Sequence, residues 1–123
     1  VPVDPLAQHL ATALAEIEIL WPAQKYWEIH EVLERVWLRC RGPALKHDRA
    51  ALWGLILLAA ALHKARRQHH PRAARQLFAR ALARLAPLPD AWHGIDLRAM
   101  ERLTCAALAD PALATPLLHA PLD

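Results

Sequence analysis

The stretch Ala50–Leu62, AALWGLILLAAAL, runs thirteen residues without a charge or a hydroxyl. A helix at a protein surface shows an apolar stripe and a polar back, whereas a segment apolar on every side is either enclosed by neighbours or buried in lipid. A membrane span needs about 20 such residues, so this segment reads as the enclosed helix at the centre of a bundle. Working outward, His63, Lys64, Arg66 and Arg67 return the chain to water, and Asp48 is a suitable N-cap upstream. The third helix of the chain is therefore expected from about Asp48 to Gln68.

Proline sets the remaining boundaries. The prolines stand at 2, 5, 22, 43, 71, 87, 89, 111, 116 and 121, and none interrupts a helically periodic run. Because proline lacks a backbone donor and clashes with the preceding turn, these positions mark helix ends. Helix one is expected over Pro5–Leu20 with Asp4 as N-cap, and an apolar stripe of Leu6, Leu10, Ala13, Leu14 and Ile17. Helix two is expected from about Ala23 to Cys40, before the Gly42-Pro43 stop. Helix four runs from Pro71 to before Pro87, and helix five from an Asp96 N-cap to before Pro111. No alternating strand pattern competes. Residues 111–123, PALATPLLHAPLD, are too rich in proline for a regular helix, and their leucines are expected to strap the bundle or to join a second copy as a homo-oligomer. The fold class expected is all-α, a compact bundle of about five helices around an apolar central helix, with residues 1–123 forming one domain.

The chain has 123 residues, 55 % of them hydrophobic and 22 % charged, which excludes a disordered or fibrous protein. Ser and Asn are absent, so there is no serine nucleophile. Gly42, Gly54 and Gly94 stand alone, which rules out a glycine-rich phosphate loop. The two cysteines, Cys40 and Cys105, lie far apart in segments read as helical; they are expected to be small buried hydrophobes in a reducing compartment, with a disulfide left open. VPVDPLAQHL lacks the basic-then-apolar pattern of a leader. A cytoplasmic location without membrane contact is the expectation.

Helix two carries the polar residues that stand out. On a helical wheel, Tyr26, Ile29, Leu33, Val36, Trp37 and Cys40 form one apolar group, and Trp27 and Leu38 a second. His30 and Glu34 fall between the two, one turn apart. A carboxylate buried there must be paired, protonated or bound to something. One reading is a structural network; the other is a pocket, using His30, Glu31 and Glu34 as an acid–base set or binding a divalent metal through His30 and Glu34. The HEVLE run is a HExxE motif in which Glu34 replaces the second histidine of the zinc-protease signature, so that signature is not met. A di-iron site fails as well, since Trp27 stands three residues before His30.

The blocks YWEIHEVLERVW (Tyr26–Trp37), LWGLILLAAALHKARR (Leu52–Arg67), HPRAARQLFARALARL (His70–Leu85) and GID (Gly94–Asp96) together resemble the domain-of-unknown-function family 309, small all-helical bacterial, archaeal and plant proteins. The likeness covers about residues 21–108. It implies a fold and no agreed activity. Carried over by position, it marks His30, Glu31, Glu34 and Asp96 as polar positions, and Trp37 and Gly54 as packing positions. Trp53 and Leu57 stand where the family pattern carries two glutamines, natural partners for the helix-two carboxylates, and His70 replaces the usual asparagine before Pro71. A catalytic site using all of those positions is therefore not expected here.

Two further features complete the candidates. His63 closes the apolar run and approaches His30 if helices two and three are antiparallel. The pocket set is thus His30, Glu31, Glu34, Trp37, His63 and Asp96, although Asp96 has a simpler use as a helix cap. Separately, no acidic residue occurs between Asp48 and Asp90, while Arg66, Arg67, Arg72, Arg75, Arg80 and Arg84 offer a basic surface. Such a surface suits nucleic acid or an acidic partner, but without a helix-turn-helix or interleaved exposed aromatics a solvated face is the simpler account. The expected function is a non-enzymatic helical protein whose His/Glu cluster is structural or lines a small pocket; metal binding, hydrolase-like catalysis and nucleic-acid binding are the alternatives.

Overall fold

The computed structural model describes residues 5–110. Five α-helices form among them: α1 (Pro5–Leu20), α2 (Tyr26–Trp37), α3 (Lys46–Arg66), α4 (Pro71–Leu85) and α5 (Leu97–Ala109). The protein is all-α apart from one very short hairpin, β1 (Ala91–Trp92) paired antiparallel with β2 (Ile95–Asp96). No described helix is long and apolar enough to cross a membrane. Asp4 and the leucine-rich tail, on which the sequence places a helix cap and an oligomer contact, lie outside the described residues.

Enclosure of α3 organises the molecule. Ala51, Leu52, Leu55, Ile56, Leu57, Leu58, Ala59, Ala61 and Leu62 are all buried. The helix packs against α2 on one side and α4 on another; α1 covers α2, and α5 lies against α3 and α4. The buried stripe of α1 (Leu6, Leu10, Ala13 and Ile17) and the Leu97, Met100 and Ala107 positions of α5 complete the core.

Several boundaries differ from the sequence expectation. After α1 the chain turns at Trp21–Gln24, with Gln24 at φ 56°, and α2 begins only at Tyr26. The turn is held by Trp21, buried and edge-on to the Tyr26 ring at 5.9 Å. A 3₁₀ turn, Pro43–Leu45, leads directly into α3 at Lys46, so Asp48 sits in the first helical turn and is not the N-cap. Its carboxylate instead accepts from Trp92 Nε1 at 2.8 Å and contacts His93 Nε2 at 3.1 Å. The hairpin turns on His93 (φ 46°) and Gly94 (φ 77°), two left-handed residues as a tight two-residue hairpin requires. Strands of two residues are too short to display alternation. Asp96 does cap its helix: the side chain accepts from the Ala99 amide at 2.9 Å. Cys40 is buried, Cys105 is exposed and both are free thiols, which corrects the expectation that both are buried.

Gly54 lies where α3 meets α4. A Cβ added there would fall on Cγ and Cδ2 of Leu85, a side chain that is itself wholly buried. Gly54→Ala is expected to destabilise the protein by about 1 kcal/mol or more in urea unfolding, overpacking outweighing the gain in helix propensity. In a Leu85→Ala background, itself less stable, the same glycine substitution should cost less, since the clash is gone and the two effects are not additive.

Candidate functional site

The buried face of α2 consists of Tyr26, Ile29, Val32, Leu33 and Val36. Val32 widens this arc on the side away from His30, so the helix is rotated relative to the expectation. Trp27 and Leu38, which the wheel presents as a second apolar group facing the core, are 52 % and 48 % exposed. The His30 and Glu34 side chains therefore sit at the rim of the core, 19 % and 44 % exposed, with Nε2 and Oε2 3.3 Å apart. Glu31 faces solvent. The cluster is a half-open surface pair beside one indole, which corrects the expectation of a buried wedge.

His63, on the C-terminal half of α3, does come to this place. The Trp27 ring stacks at a tilt with both imidazoles, 4.8 Å from His30 and 5.6 Å from His63. Burial, and then Lys64 and Arg67, hold the His63 pKa below its ordinary value of 6.5. Among the described residues no three His, Cys, Asp or Glu side chains converge as a metal would need. Asp96 serves its own helix and takes no part here. Trp37 lies at the far end of α2 in a different environment.

That second environment is the more developed one. Arg49, on the first turns of α3, donates through Nη1 to the carbonyls of Trp37 (3.3 Å) and Cys40 (2.9 Å). A fixed cation on the last carbonyls of α2 satisfies acceptors and suits the negative end of the helix dipole. The guanidinium carbon lies 3.8 Å from the centre of the Trp37 ring, and Trp37 in turn stacks with Trp53 at 5.0 Å and 35°. Beside them opens a cleft of about 520 Å³ lined by Trp37, Gly42, Pro43, Lys46, Arg49, Ala50, Trp53 and Arg84. Three of these residues are cationic and none is acidic.

Lys46 and Arg49 are not among the residues that the sequence marks as candidates, and Trp53 stands out there only as a departure from the family pattern. Their signal is present as spacing: 46, 49, 50 and 53 recur at three- and four-residue intervals, one face of a helix. Arg84 belongs to the expected basic surface and is here a rim residue of the cleft. Arg67, Arg72, Arg75 and Arg80 are exposed. Arg66 is not part of a free surface, because it donates to the Ala107 carbonyl at 3.3 Å and ties α3 to α5. Cys40 offers no nucleophile: burial and then Asp48 push its thiol pKa up, away from the reactive thiolate.

The model of the family described as "Domain of unknown function (DUF309)" matches residues 14–77. The chain is also similar to the crystal structure of a conserved hypothetical protein from Thermus thermophilus, with 40 % identity and a TM-score of 0.66, over 78 % of this chain and 95 % of that one. No curated protein matches.

Two outcomes follow from the α2 geometry. Glu34→Gln should change unfolding stability by less than about 0.5 kcal/mol, the range of exposed pairs; a loss of about 3 kcal/mol or more would mark a buried pair instead. For His63, the unfolded chain takes up its proton first as pH falls, so this ring's contribution to stability is full above about pH 6.5 and declines below it. Chemical denaturation at a series of pH values should show that His63→Gln flattens the acid-side slope.

Proposed function

The chain belongs to the DUF309 family, whose fold carries no assigned reaction, and from that premise we propose that it is a non-catalytic binding protein. Its binding place is the cleft between the end of α2, the Pro43–Leu45 turn, the start of α3 and Arg84 of α4. The observation that carries this reading is the paired indoles of Trp37 and Trp53 beside an open cavity of small-molecule size. Ligand sites are usually concave, largely apolar, and furnished with a few fixed polar groups. Arg49, anchored on two carbonyls, is such a group.

The His30–Glu34 pair has a structural role in this account. It closes the rim of the α2–α3 contact alongside Trp27 and His63. Catalysis there would require a carboxylate or imidazole tuned within a sheltered cavity, whereas Glu34 is close to half exposed.

Indole, a neutral aromatic probe, should bind at the cleft. In two-dimensional NMR, millimolar indole is expected to shift the side-chain N–H signals of Trp37 and Trp53 and the backbone amides of Gly42 and Ala50, leaving those around His30 unmoved. Trp53→Gln should abolish the response. Shifts confined to the Trp27–His63 rim would overturn the assignment.

A further inference from the structure

We propose that the cleft takes a small planar aromatic carboxylate, its ring against the Trp53 indole and its acid group met by Arg49 with Lys46 and Arg84. The inference rests on the reading of the cleft as the binding place and names the chemical class bound there.

Charge is the first argument. The lining carries Lys46, Arg49 and Arg84 without a single Asp or Glu. Three like charges around one cavity raise its positive potential, and an anion entering it relieves their mutual repulsion. The Lys46 ammonium and the Arg84 guanidinium have no ion-pair or hydrogen-bond partner among the described residues, so both are available at the rim.

Arg49 keeps one edge of its guanidinium open. Only its Nη1 is committed, to the Trp37 and Cys40 carbonyls; Nε and Nη2 make no hydrogen bond among the described residues. Those two nitrogens form one edge of the guanidinium, a fork whose spacing matches the two oxygens of a carboxylate. Because the group is already held by two carbonyls and by the Trp37 ring at 3.8 Å, little side-chain freedom is lost when an anion docks. A lysine in the same place would offer neither the fork nor the fixed orientation.

Shape points the same way. Trp37 is engaged by both Arg49 and Trp53, while Trp53 is only partly buried and offers its indole to the cleft. Gly42, Pro43 and Ala50 add a small apolar surround. A cavity of about 520 Å³ accepts a one- or two-ring acid and falls within the usual range for small-molecule sites, roughly 300–1,000 Å³.

The test is calorimetric titration of the full chain at low salt with naphthalene-2-carboxylate, naphthalene-2-carboxamide, cyclohexanecarboxylate and adenosine monophosphate. The aromatic carboxylate should bind at least tenfold more tightly than the amide and the saturated acid, and weaken as salt rises. Lys46→Glu and Arg84→Glu, both at the rim, should each reduce its affinity several-fold, with Arg84→Lys recovering most of the loss. Trp53→Gln should remove the preference for the aromatic ring while the variant keeps its wild-type circular dichroism. If the carboxamide binds equally well, the cleft does not read charge and the proposed class is wrong, although the binding place stands. Tighter binding of the phosphate ester would replace carboxylate by phosphate and overturn the class likewise. If none of the four probes binds and indole leaves the cleft signals unmoved, the reading of the cleft as a binding place falls as well.

Discussion

An all-apolar helix has to be walled in, and the whole molecule is arranged to do that for α3. Leu52, Leu55, Leu58 and Leu62 retain at most 1 % of their exposure, which requires cover from α2, α4 and α5 at once. Each fully buried leucine contributes roughly 1.5–3 kcal/mol relative to its exposed state. Gly54 sets how near α4 can come, because Leu85 occupies the space a larger residue would fill. The surrounding helices then need only a single apolar stripe each, leaving their outer faces free to carry arginine.

That division explains which parts of the structure are legible in the sequence. The apolar run of α3 and the spacing of prolines announce the helices because burial and the missing proline N–H act locally. Asp96 is legible for the same reason: a cap is decided within three residues. The orientation of α2 is not. Its wheel carries two apolar groups with His30 and Glu34 between them, and periodicity alone does not say which group meets the core. Val32 and the Trp21–Tyr26 contact settle it, and both depend on α1 folding back. Asp48 likewise looks like a cap in sequence because its tertiary partners, Trp92 and His93, lie far along the chain.

The site shows the same contrast between local and distant causes. Residues chosen for their chemistry alone, such as His30, Glu31 and Glu34, lie at a rim where water answers most of their needs. Arg49 and Trp53 attract little notice in sequence, one among twelve arginines and the other within an apolar run. Folding puts Arg49 on the carbonyls that end α2 and brings Trp53 to Trp37. Arg49 thus joins two tasks, closing a helix and furnishing a cleft, and substitution there would disturb both together.

The bond between Trp92 and Asp48 links residues 44 positions apart, and it carries a consequence for the order of assembly. Closing so long a loop costs entropy that one hydrogen bond of about 1 kcal/mol does not offset. Antiparallel pairing of α3 with α4 shortens the effective distance first, since their connection is only a few residues long. The hairpin then fastens onto an existing two-helix frame, and α5 follows it into place. Residues 86–110, the hairpin and α5, are in this sense a clasp that closes on the α3–α4 frame.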